Sequence, residues 1–366
     1  MLIKSLELRN FRNLEAQIFN PGPGINLILG DNGQGKTNLV EAISFLSWMR
    51  SFRTSRSVEM IKSGQDAAWL SARIDPGGRQ MEVQLAGGMR KVRIDGHPIK
   101  AARDCLDILA VACLSPDDPA ILEGGPSGRR QLLDRFMVMR RPTMGILLST
   151  FERLLKERNA LLKADAGAYD HKLLEAVSEA LAKSAAELLA ARFEALDSIA
   201  NRLPDILAQM AGNDLGVEVG YQSKWFPKDA SLSRAQNLLL QAFHQRRDAD
   251  FALGYTTAGP QADDMEVGLL GLPTRGHASR GQKKVLMLAW KVSEALEYQS
   301  LTGQTPVLVL DDAFADLDAS RQAGVVACLC DYAGQSFITS AVADSGVLAN
   351  ASVFFAKQGL LSAMEA

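Results

Sequence analysis

A glycine-rich stretch at residues 30–37 constrains this chain more than any other part of its sequence. It fits the spacing G-x-x-x-x-G-K-[ST], follows a short apolar run at 25–29, and leads into apolar residues at helical spacing up to Trp48. A loop between a strand and a helix N-terminus points backbone N–H groups at an anion, and the helix dipole favours negative charge there. The stretch therefore predicts a phosphate cradle for a nucleoside triphosphate.

The side chains of this loop have separable roles. The Lys36 ammonium is expected to reach the outer phosphates, and the Thr37 hydroxyl is expected to bind Mg²⁺. The residues predicted to surround the phosphates are Gly30, Asp31, Asn32, Gly33, Gln34, Gly35, Lys36 and Thr37.

A second half of the site is predicted where an apolar run at 307–310 ends in two acids, Asp311 and Asp312. In an open α/β sheet, ligands bind at the carboxyl ends of the strands. A carboxylate there can hold Mg²⁺ opposite the Thr37 hydroxyl, and a second carboxylate can orient the attacking water. We assign Asp311 to the metal and Asp312, as the catalytic residue, to the water.

The sequence Ser279-Arg280-Gly281-Gln282 precedes apolar residues that recur at helical spacing from 285 to 296. Ser279 and Gln282 have the spacing of a capping box, so one interpretation is simply a well-capped helix. The alternative is a second anion site, because a helix N-terminus with serine and glycine offers N–H groups to a γ-phosphate. One triphosphate needs one cradle in its own subunit, so this second site suggests that the helix contacts the nucleotide of a partner chain.

Composition restricts the function classes further. The formal net charge is −2, so DNA contacts would have to come from local basic patches rather than a global field. The four cysteines form neither a disulfide framework nor a zinc pattern. The sequence has no window of eighteen apolar residues and no signal-peptide pattern, so we expect a cytoplasmic protein without a membrane span.

The order of patterns predicts an α/β fold with an insertion. Glycine turns punctuate short alternating runs between residues 67 and 99, which predicts an antiparallel meander. Helical patterns dominate after residue 124, notably at 143–163 and 170–211, and strand character is expected at 251–255. We therefore predict a P-loop ATPase lobe at 1–115 and 255–366, with a helical arm inserted at 116–254.

Two local basic patches are candidate DNA contacts: Arg50, Arg53 and Arg56 in one, Arg129 and Arg130 in the other. A solvated loop explains the first patch equally well, and a solvated helix face explains the second patch somewhat better.

Taken together, these motifs resemble the ABC-type ATPase heads of the SMC group, and their order is most similar to the RecF family of bacterial recombination mediators. Five stretches carry the resemblance: residues 8–13, 35–38, 50–56, 129–134 and 279–282. The resemblance runs nearly end to end and is weakest across 164–250.

The resemblance implies a head that dimerises on ATP, with each nucleotide between one subunit's cradle and the other's signature at Ser279, Arg280, Gly281 and Gln282. It also implies nucleotide contacts by Arg12, Asn13 and Asn38, and a D-loop with Asp316 and Asp318 at the dimer interface. Such proteins bind gapped or single-stranded DNA and, with RecO and RecR, help to load RecA in DNA repair, replication restart and the SOS response.

This sequence departs from the related families at three places. Transporter-type ATPases have glutamate at the position of Asp312 and a switch histidine within the region of 337–340, so we expect slow hydrolysis here. The usual Gly-Pro-His-Arg loop of the RecF family reads Gly-Pro-Gln-Ala at 259–262. Two functions remain open: a slow DNA-dependent ATPase, and an ATP-gated DNA clamp in which hydrolysis is incidental. A small-molecule kinase would leave the second capped helix and the inserted arm without a role.

Overall fold

The computed structural model describes residues 1–99, 101–163, 170–227, 230–341 and 351–364. The chain divides into two compact units: a first unit of Met1–Ala120, Arg202–Leu215 and Ala278–Ala366, and a second unit of Ile121–Asn201 and Gly216–His277. The parts of the predicted lobes at 164–169, 228–229 and 342–350 lie outside the described residues.

The strands of the described chain are β1 (Leu2–Arg9), β2 (Gln17–Phe19), β3 (Ile25–Leu29), β4 (Ala67–Asp75), β5 (Arg79–Ala86), β6 (Met89–Ile94), β7 (His97–Pro98), β8 (Val111–Leu114), β9 (Glu218–Gln222), β10 (Asp264–Leu269), β11 (Leu272–Pro273), β12 (Val307–Leu310), β13 (Ser336–Ser340), β14 (Ala351–Lys357) and β15 (Leu360–Ala363).

The helices are α1 (Lys36–Trp48), α2 (Arg103–Ile108), α3 (Pro126–Arg140), α4 (Met144–Leu162), α5 (His171–Ala211), α6 (Leu232–Gln245), α7 (Arg247–Leu253), α8 (Arg280–Thr302) and α9 (Ala319–Asp331). Among the described residues, none of these helices is both long and apolar enough to cross a bilayer.

A mixed sheet in the first unit brings distant parts of the sequence to one edge. Its order is β15-β14-β3-β13-β12-β8, parallel except for the β14–β15 pair. Every residue of β3 and β12 is buried, as expected for parallel strands covered on both faces. Because β3, β12 and β13 run in the same direction, the loops that follow them lie at the same edge of the sheet.

The meander predicted between residues 67 and 99 is present as β4 to β7, which continue β1 and β2 in an antiparallel sheet of order β2-β1-β4-β5-β6-β7. One hydrophobic cluster joins this sheet to α1 and to the mixed sheet. Its members include Leu70 and Val83 of the meander, Phe45 of α1, and Val309 and Phe337 of the mixed sheet. The helix that follows the glycine loop is therefore anchored on both sheets.

The second unit combines helices with a small antiparallel sheet of order β11-β10-β9. Helices α4 and α5 confirm the helical patterns at 143–163 and 170–211. The strand predicted at 251–255 is wrong, because residues 247–253 form helix α7. Gly254 closes α7 in the left-handed conformation with φ +71°, which is a common way for a helix to end.

A buried ion pair ties α4 to α7 in the second unit. The Arg158 Nη1 donates to Asp250 Oδ2 at 2.8 Å and to Thr256 Oγ1 at 2.7 Å, and its Nε donates to Ser178 at 3.1 Å. The Asp250 side chain is fully buried and the Arg158 side chain is 2% exposed. Each partner therefore depends on the other to remain charged away from water.

We predict that Arg158→Met lowers the free energy of unfolding by about 3–5 kcal/mol, because it leaves the buried Asp250 carboxylate without its partner. The matched control is Arg153→Met on the same helix, whose ion pair with Glu157 is exposed and should contribute less than about 1 kcal/mol. Equilibrium urea unfolding of both variants measures the difference. Equal losses in the two variants would contradict the structural role of Arg158.

Candidate nucleotide-binding site

The glycine loop is held against the end of β14 and opens into the N-terminus of α1. Gly30 has φ +148°, and a Cβ atom there would lie 2.4 Å from the carbonyl oxygen of Ala356, so only glycine fits. Helix α1 begins at Lys36, and its N-cap residue is Gly35, which has no side chain to cap the helix. The first N–H groups of a helix lack intrahelical partners, so this terminus is suited to an anion.

Lys36 is buried, and its ammonium donates to the carbonyl oxygens of Gly30 at 2.5 Å and Asp31 at 2.9 Å. These bonds hold the positive charge within the loop. The glycine loop also contacts the turn between β14 and β15, since the Gly359 N–H donates to the carbonyl of Gln34. The loop is thus pre-shaped, with its cation already inside it.

The two predicted acids lie at the carboxyl end of β12, and the first of them reaches the loop. Asp311 Oδ1 accepts a hydrogen bond from the Thr37 hydroxyl at 3.2 Å and another from the hydroxyl of Thr339 on β13. Its second oxygen, Oδ2, is buried and has no hydrogen-bond partner among the residues that the structure describes. The structure therefore brings Thr37 and Asp311 together, as their predicted shared role requires.

The environment of Asp311 fits a divalent cation. Burial raises the pKa of Asp311 above its ordinary value and the Asp312 charge adds to this, while hydrogen bonds from Thr339 and Thr37 and the Lys284 charge oppose it. A buried carboxylate oxygen with no donor is a favourable ligand for Mg²⁺, which prefers oxygen atoms. Asp311 and Thr37 are therefore the residues that would hold the ion, and Mg²⁺ would neutralise phosphate charge there.

Asp312 is exposed and sits in a left-handed backbone conformation with φ +52°. Its N–H donates to the Thr339 hydroxyl at 2.7 Å, so one threonine holds both neighbouring acids. Left-handed backbone is uncommon for residues other than glycine, and here a defined hydrogen bond supports it. The backbone of Asp312 is therefore fixed at the end of β12, and its side chain is exposed there.

The capping box predicted at Ser279 and Gln282 is present at the start of α8. The Ser279 side chain accepts from the Gln282 N–H at 3.2 Å, and the Ser279 N–H donates to Gln282 Oε1 at 2.8 Å. Ser279 and Arg280 are exposed, whereas Gly281 is buried. A Cβ on Gly281 would lie 2.8 Å from the carbonyl oxygen of Asp316, so the signature packs on the predicted D-loop.

The predicted D-loop residues have different local roles. Asp318 caps α9 by accepting from the Arg321 N–H at 2.9 Å, and it also binds the Arg321 guanidinium. Asp316 is exposed in a left-handed conformation with φ +62°. In the loop between β12 and α9, Asp318 therefore caps the helix, and Asp316 is exposed to solvent.

A hydrogen-bonded network lies behind the cradle and includes the family-derived contacts. Asn13 Nδ2 donates to the carbonyl of Gly33 at 3.0 Å, and Asn38 Nδ2 donates to Asn13 Oδ1 at 2.6 Å. The Arg12 guanidinium donates to both oxygens of the fully buried Glu41. Asn13 and Asn38 thus brace the loop directly, whereas Arg12 is held on α1 through Glu41, and its contact with a nucleotide stays a prediction.

The two basic patches differ. Arg50 and Arg56 are exposed, and Arg53 donates to Asn38 Oδ1 at 2.7 Å from a half-exposed position. In contrast, Arg129 is 7% exposed and makes a bidentate pair with Asp264, with donor–acceptor distances of 2.9 and 2.8 Å.

Arg130 donates to the carbonyl of Asp263 at 2.6 Å and is partly buried. We therefore correct the prediction for Arg129, because Asp264, 135 residues away, binds its guanidinium inside the second unit. Arg130 makes one such contact, with a carbonyl 133 residues away, and its contact with DNA stays a prediction.

Three residues near the site have no counterpart among the predicted site residues. Glu41 is a buried acid within the apolar stripe of α1, and Thr339 is a hydroxyl in the otherwise buried strand β13. Lys284 is a buried cation in the second turn of α8, and its ammonium lies 3.4 Å from the carbonyl oxygen of Asp311. Burial lowers the pKa of Lys284, and neighbouring aspartates oppose this. A polar or charged residue at a position that the periodicity marks as buried is the signal that could have found each one.

Comparison with known proteins agrees with this geometry. The sequence model of the RecF/RecN/SMC N-terminal domain matches residues 2–358. The DNA replication and repair protein RecF of Acidothermus cellulolyticus is 34% identical over 351 residues, covering 93% of this chain and 94% of that protein. These matches span both units.

Solved structures extend the comparison to the fold. The recombination mediator protein RecF-ATP of the RecFOR pathway matches with a TM-score of 0.88 and 28% identity, covering all of this chain and 98% of that one. An SMC head bound to the C-terminal winged-helix domain of ScpA matches with a TM-score of 0.56 and 16% identity, covering 100% of this chain and 97% of that one, and shows the fold alone. The predicted ABC-type ATPase head is confirmed, and the chain belongs to the RecF family of DNA replication and repair proteins within the RecF/RecN/SMC group.

Proposed function

We propose that this protein is an ATP-dependent recombination mediator that dimerises on ATP at gapped or single-stranded DNA, helps to load RecA, and hydrolyses ATP slowly. One observation carries the proposal. The first unit combines a cradle whose acid has a buried oxygen that no donor of the described residues reaches with a signature whose Ser279 is exposed at a capped helix N-terminus. These are the two halves of a nucleotide sandwich, in which a nucleotide is bound between the cradle of one protomer and the signature of the other.

Dimerisation places the signature of one protomer on the nucleotide of the other. The capping box gives hydrogen-bond partners to some of the backbone N–H groups at the α8 N-terminus. Ser279 and Arg280 are exposed, so a phosphate can approach the outer face of this terminus. Asp316 stands beside Gly281 and would meet the partner at the same interface. Bound ATP thereby becomes the connection between protomers.

Slow hydrolysis follows from the acid that orients water. Asp312 is one methylene shorter than the glutamate of transporter-type ATPases, so its carboxylate reaches less far from the strand. Thr339 occupies the region in which those enzymes carry a switch histidine, and a hydroxyl cannot take up a proton at neutral pH as imidazole can. The nucleotide therefore acts mainly as a timer for the dimer.

DNA and protein partners complete the function. The exposed Arg50 and Arg56 offer phosphate contacts near the cradle, and Arg53 joins their loop to α1. The ATP-bound relative is described as part of the RecFOR pathway. We therefore propose RecR and RecO as partners, and RecA as an indirect partner. We place the protein in the cytoplasm at the nucleoid.

The exposed, shortened acid also supports the second function, an ATP-gated clamp in which hydrolysis is incidental. Turnover measured with and without gapped duplex DNA separates the two. A rate that rises with DNA supports the coupled ATPase, and a rate that DNA leaves unchanged favours the clamp.

We predict that Asp312→Asn binds ATP, accumulates as a dimer and loses turnover by about 100-fold, because the water loses its orienting base. Lys36→Ala should lose ATP binding and remain monomeric, because the cation for the outer phosphates is gone. Sedimentation velocity with and without ATP, together with phosphate release, measures both variants. The control is Asp331→Asn, which removes an exposed carboxylate at the end of α9. A monomeric wild type at saturating ATP would refute the sandwich.

We predict that the double variant with Arg50→Gln and Arg56→Gln binds DNA more weakly. The slope of log K against log salt concentration should be smaller in magnitude by about 2 in this variant. The reason is that each lost phosphate contact releases about one counterion fewer. Fluorescence anisotropy across a salt series measures the slope, with Arg153→Gln as a control on an exposed arginine of the second unit. An unaltered slope would remove this loop from the DNA-binding surface.

A further inference from the structure

Lys284 is a buried cation placed among the acids of the nucleotide site. It is 5% exposed, and its Nζ lies 3.4 Å from the carbonyl oxygen of Asp311. Burial lowers the pKa of Lys284, and the negative charges of four aspartates oppose this, those of Asp312, Asp311, Asp316 and Asp118. Two of these are the acids that we assign to the metal and to water.

The same helix carries the signature that faces a partner protomer. Ser279 caps α8 and Lys284 lies five residues further along, so both move with the first turns of one helix. Gly281 packs against the carbonyl of Asp316 without room for a side chain. The position of the signature is therefore tied to the loop between β12 and α9 and to the acids at its start.

The charge balance around Lys284 depends on what the acids bind. An ammonium away from water needs compensating negative charge, and its hydrogen bond to a backbone carbonyl supplies only part of it. The remainder comes from the field of the aspartates. A divalent cation at Asp311 would use the same negative charge, so the ion and Lys284 compete for it.

We propose that Lys284 is a positioning residue that couples nucleotide occupancy in one protomer to the presentation of Ser279 by that same protomer. This inference rests on the proposed function and extends it. While the acids are not engaged by a cation, Lys284 draws the first turns of α8 towards them. When a metal and nucleotide take up the charge of Asp311 and Asp312, the attraction on Lys284 weakens and the signature is released towards the partner. ATP bound to one protomer thus releases the signature of that same protomer, which then contacts the nucleotide bound to the partner.

The test uses the full-length monomer, at a concentration where sedimentation finds no dimer. Lys284→Gln removes the charge and keeps a donor for the Asp311 carbonyl, and Lys284→Met is a second charge-removing variant in case the first unfolds. Lys284→Arg keeps the charge, and Lys283→Met removes a neighbouring, partly exposed charge on the same helix. Binding of a slowly hydrolysed ATP analogue is followed at increasing Mg²⁺ concentration.

We expect the Mg²⁺ concentration at half-saturation to fall about fivefold in Lys284→Gln and Lys284→Met, because a competing positive charge is gone. Lys284→Arg and Lys283→Met should remain within about twofold of the wild type. A purely structural lysine would alter the melting temperature and leave the Mg²⁺ dependence unchanged. That outcome in both charge-removing variants would overturn the proposal.

Hydrogen exchange at the amides of residues 280–284 provides a second readout. In the wild type, Mg²⁺ and the ATP analogue should accelerate exchange there, and in Lys284→Gln exchange should already be fast without them. Exchange that is slow and insensitive to nucleotide in the variant would contradict the coupling. Both measurements are made on monomers. If the wild type fails to dimerise on ATP, the proposed nucleotide sandwich is refuted, whereas the role of Lys284 is still decided by these two measurements.

Discussion

The nucleotide site depends on one buried carboxylate, that of Asp311. One of its oxygens accepts hydroxyl donors from Thr37 at the start of α1 and Thr339 on β13, so three distant parts of the sequence meet at a single atom. The other oxygen is buried, and no donor in the described part of the chain reaches it. A carboxylate in this position costs several kcal/mol unless a cation compensates it, so the strands that bury Asp311 also create its need for a metal. The arrangement that packs the edge of this sheet is therefore also the one that we propose binds Mg²⁺ with a nucleotide.

The parts of this site that could be predicted from the sequence are those encoded within a few residues. The glycine loop, the capping box of Ser279 and Gln282, and the acids after an apolar strand each have a local pattern that specifies both structure and chemistry. The helices α4 and α5 also follow from their periodicity. The run at 251–255 was too short for its periodicity to distinguish strand from helix, and the left-handed Gly254 decided in favour of a helix.

The parts that could not be predicted depend on pairs distant in sequence. Arg129 has the appearance of a surface cation in its own helix, but Asp264 pairs with it from β10 and removes it from solvent. Arg158 and Asp250 pair in the same way across 92 residues. Glu41, Thr339 and Lys284 are polar residues at buried positions, and only the packed sheets reveal which partner each one serves. A local charge pattern alone could not decide whether an arginine binds DNA or an internal acid.

In the function that we propose, the separation of cradle and signature within one unit gives the ATP a role in assembly. The cradle holds its own cation and acid, while Ser279 is exposed on a helix that packs against the D-loop through Gly281. In the proposed dimer, the nucleotide links these halves from two protomers, and the short Asp312 makes the link long-lived. Lys284 would make the two ends of this system responsive to each other.

The most direct test of the composite site mixes two inactive variants. Lys36→Ala has a defective cradle and an intact signature, whereas Ser279→Arg has an intact cradle and a signature blocked by a bulky cation. If the signature acts on the partner's nucleotide, a mixed dimer contains one complete site, and ATP hydrolysis should return on mixing to as much as about half of the wild-type rate, since neither variant forms a dimer with itself and each mixed dimer has one of two sites. Hydrolysis that stays at the level of the separate variants, although the mixed dimer forms, would contradict a signature acting between protomers.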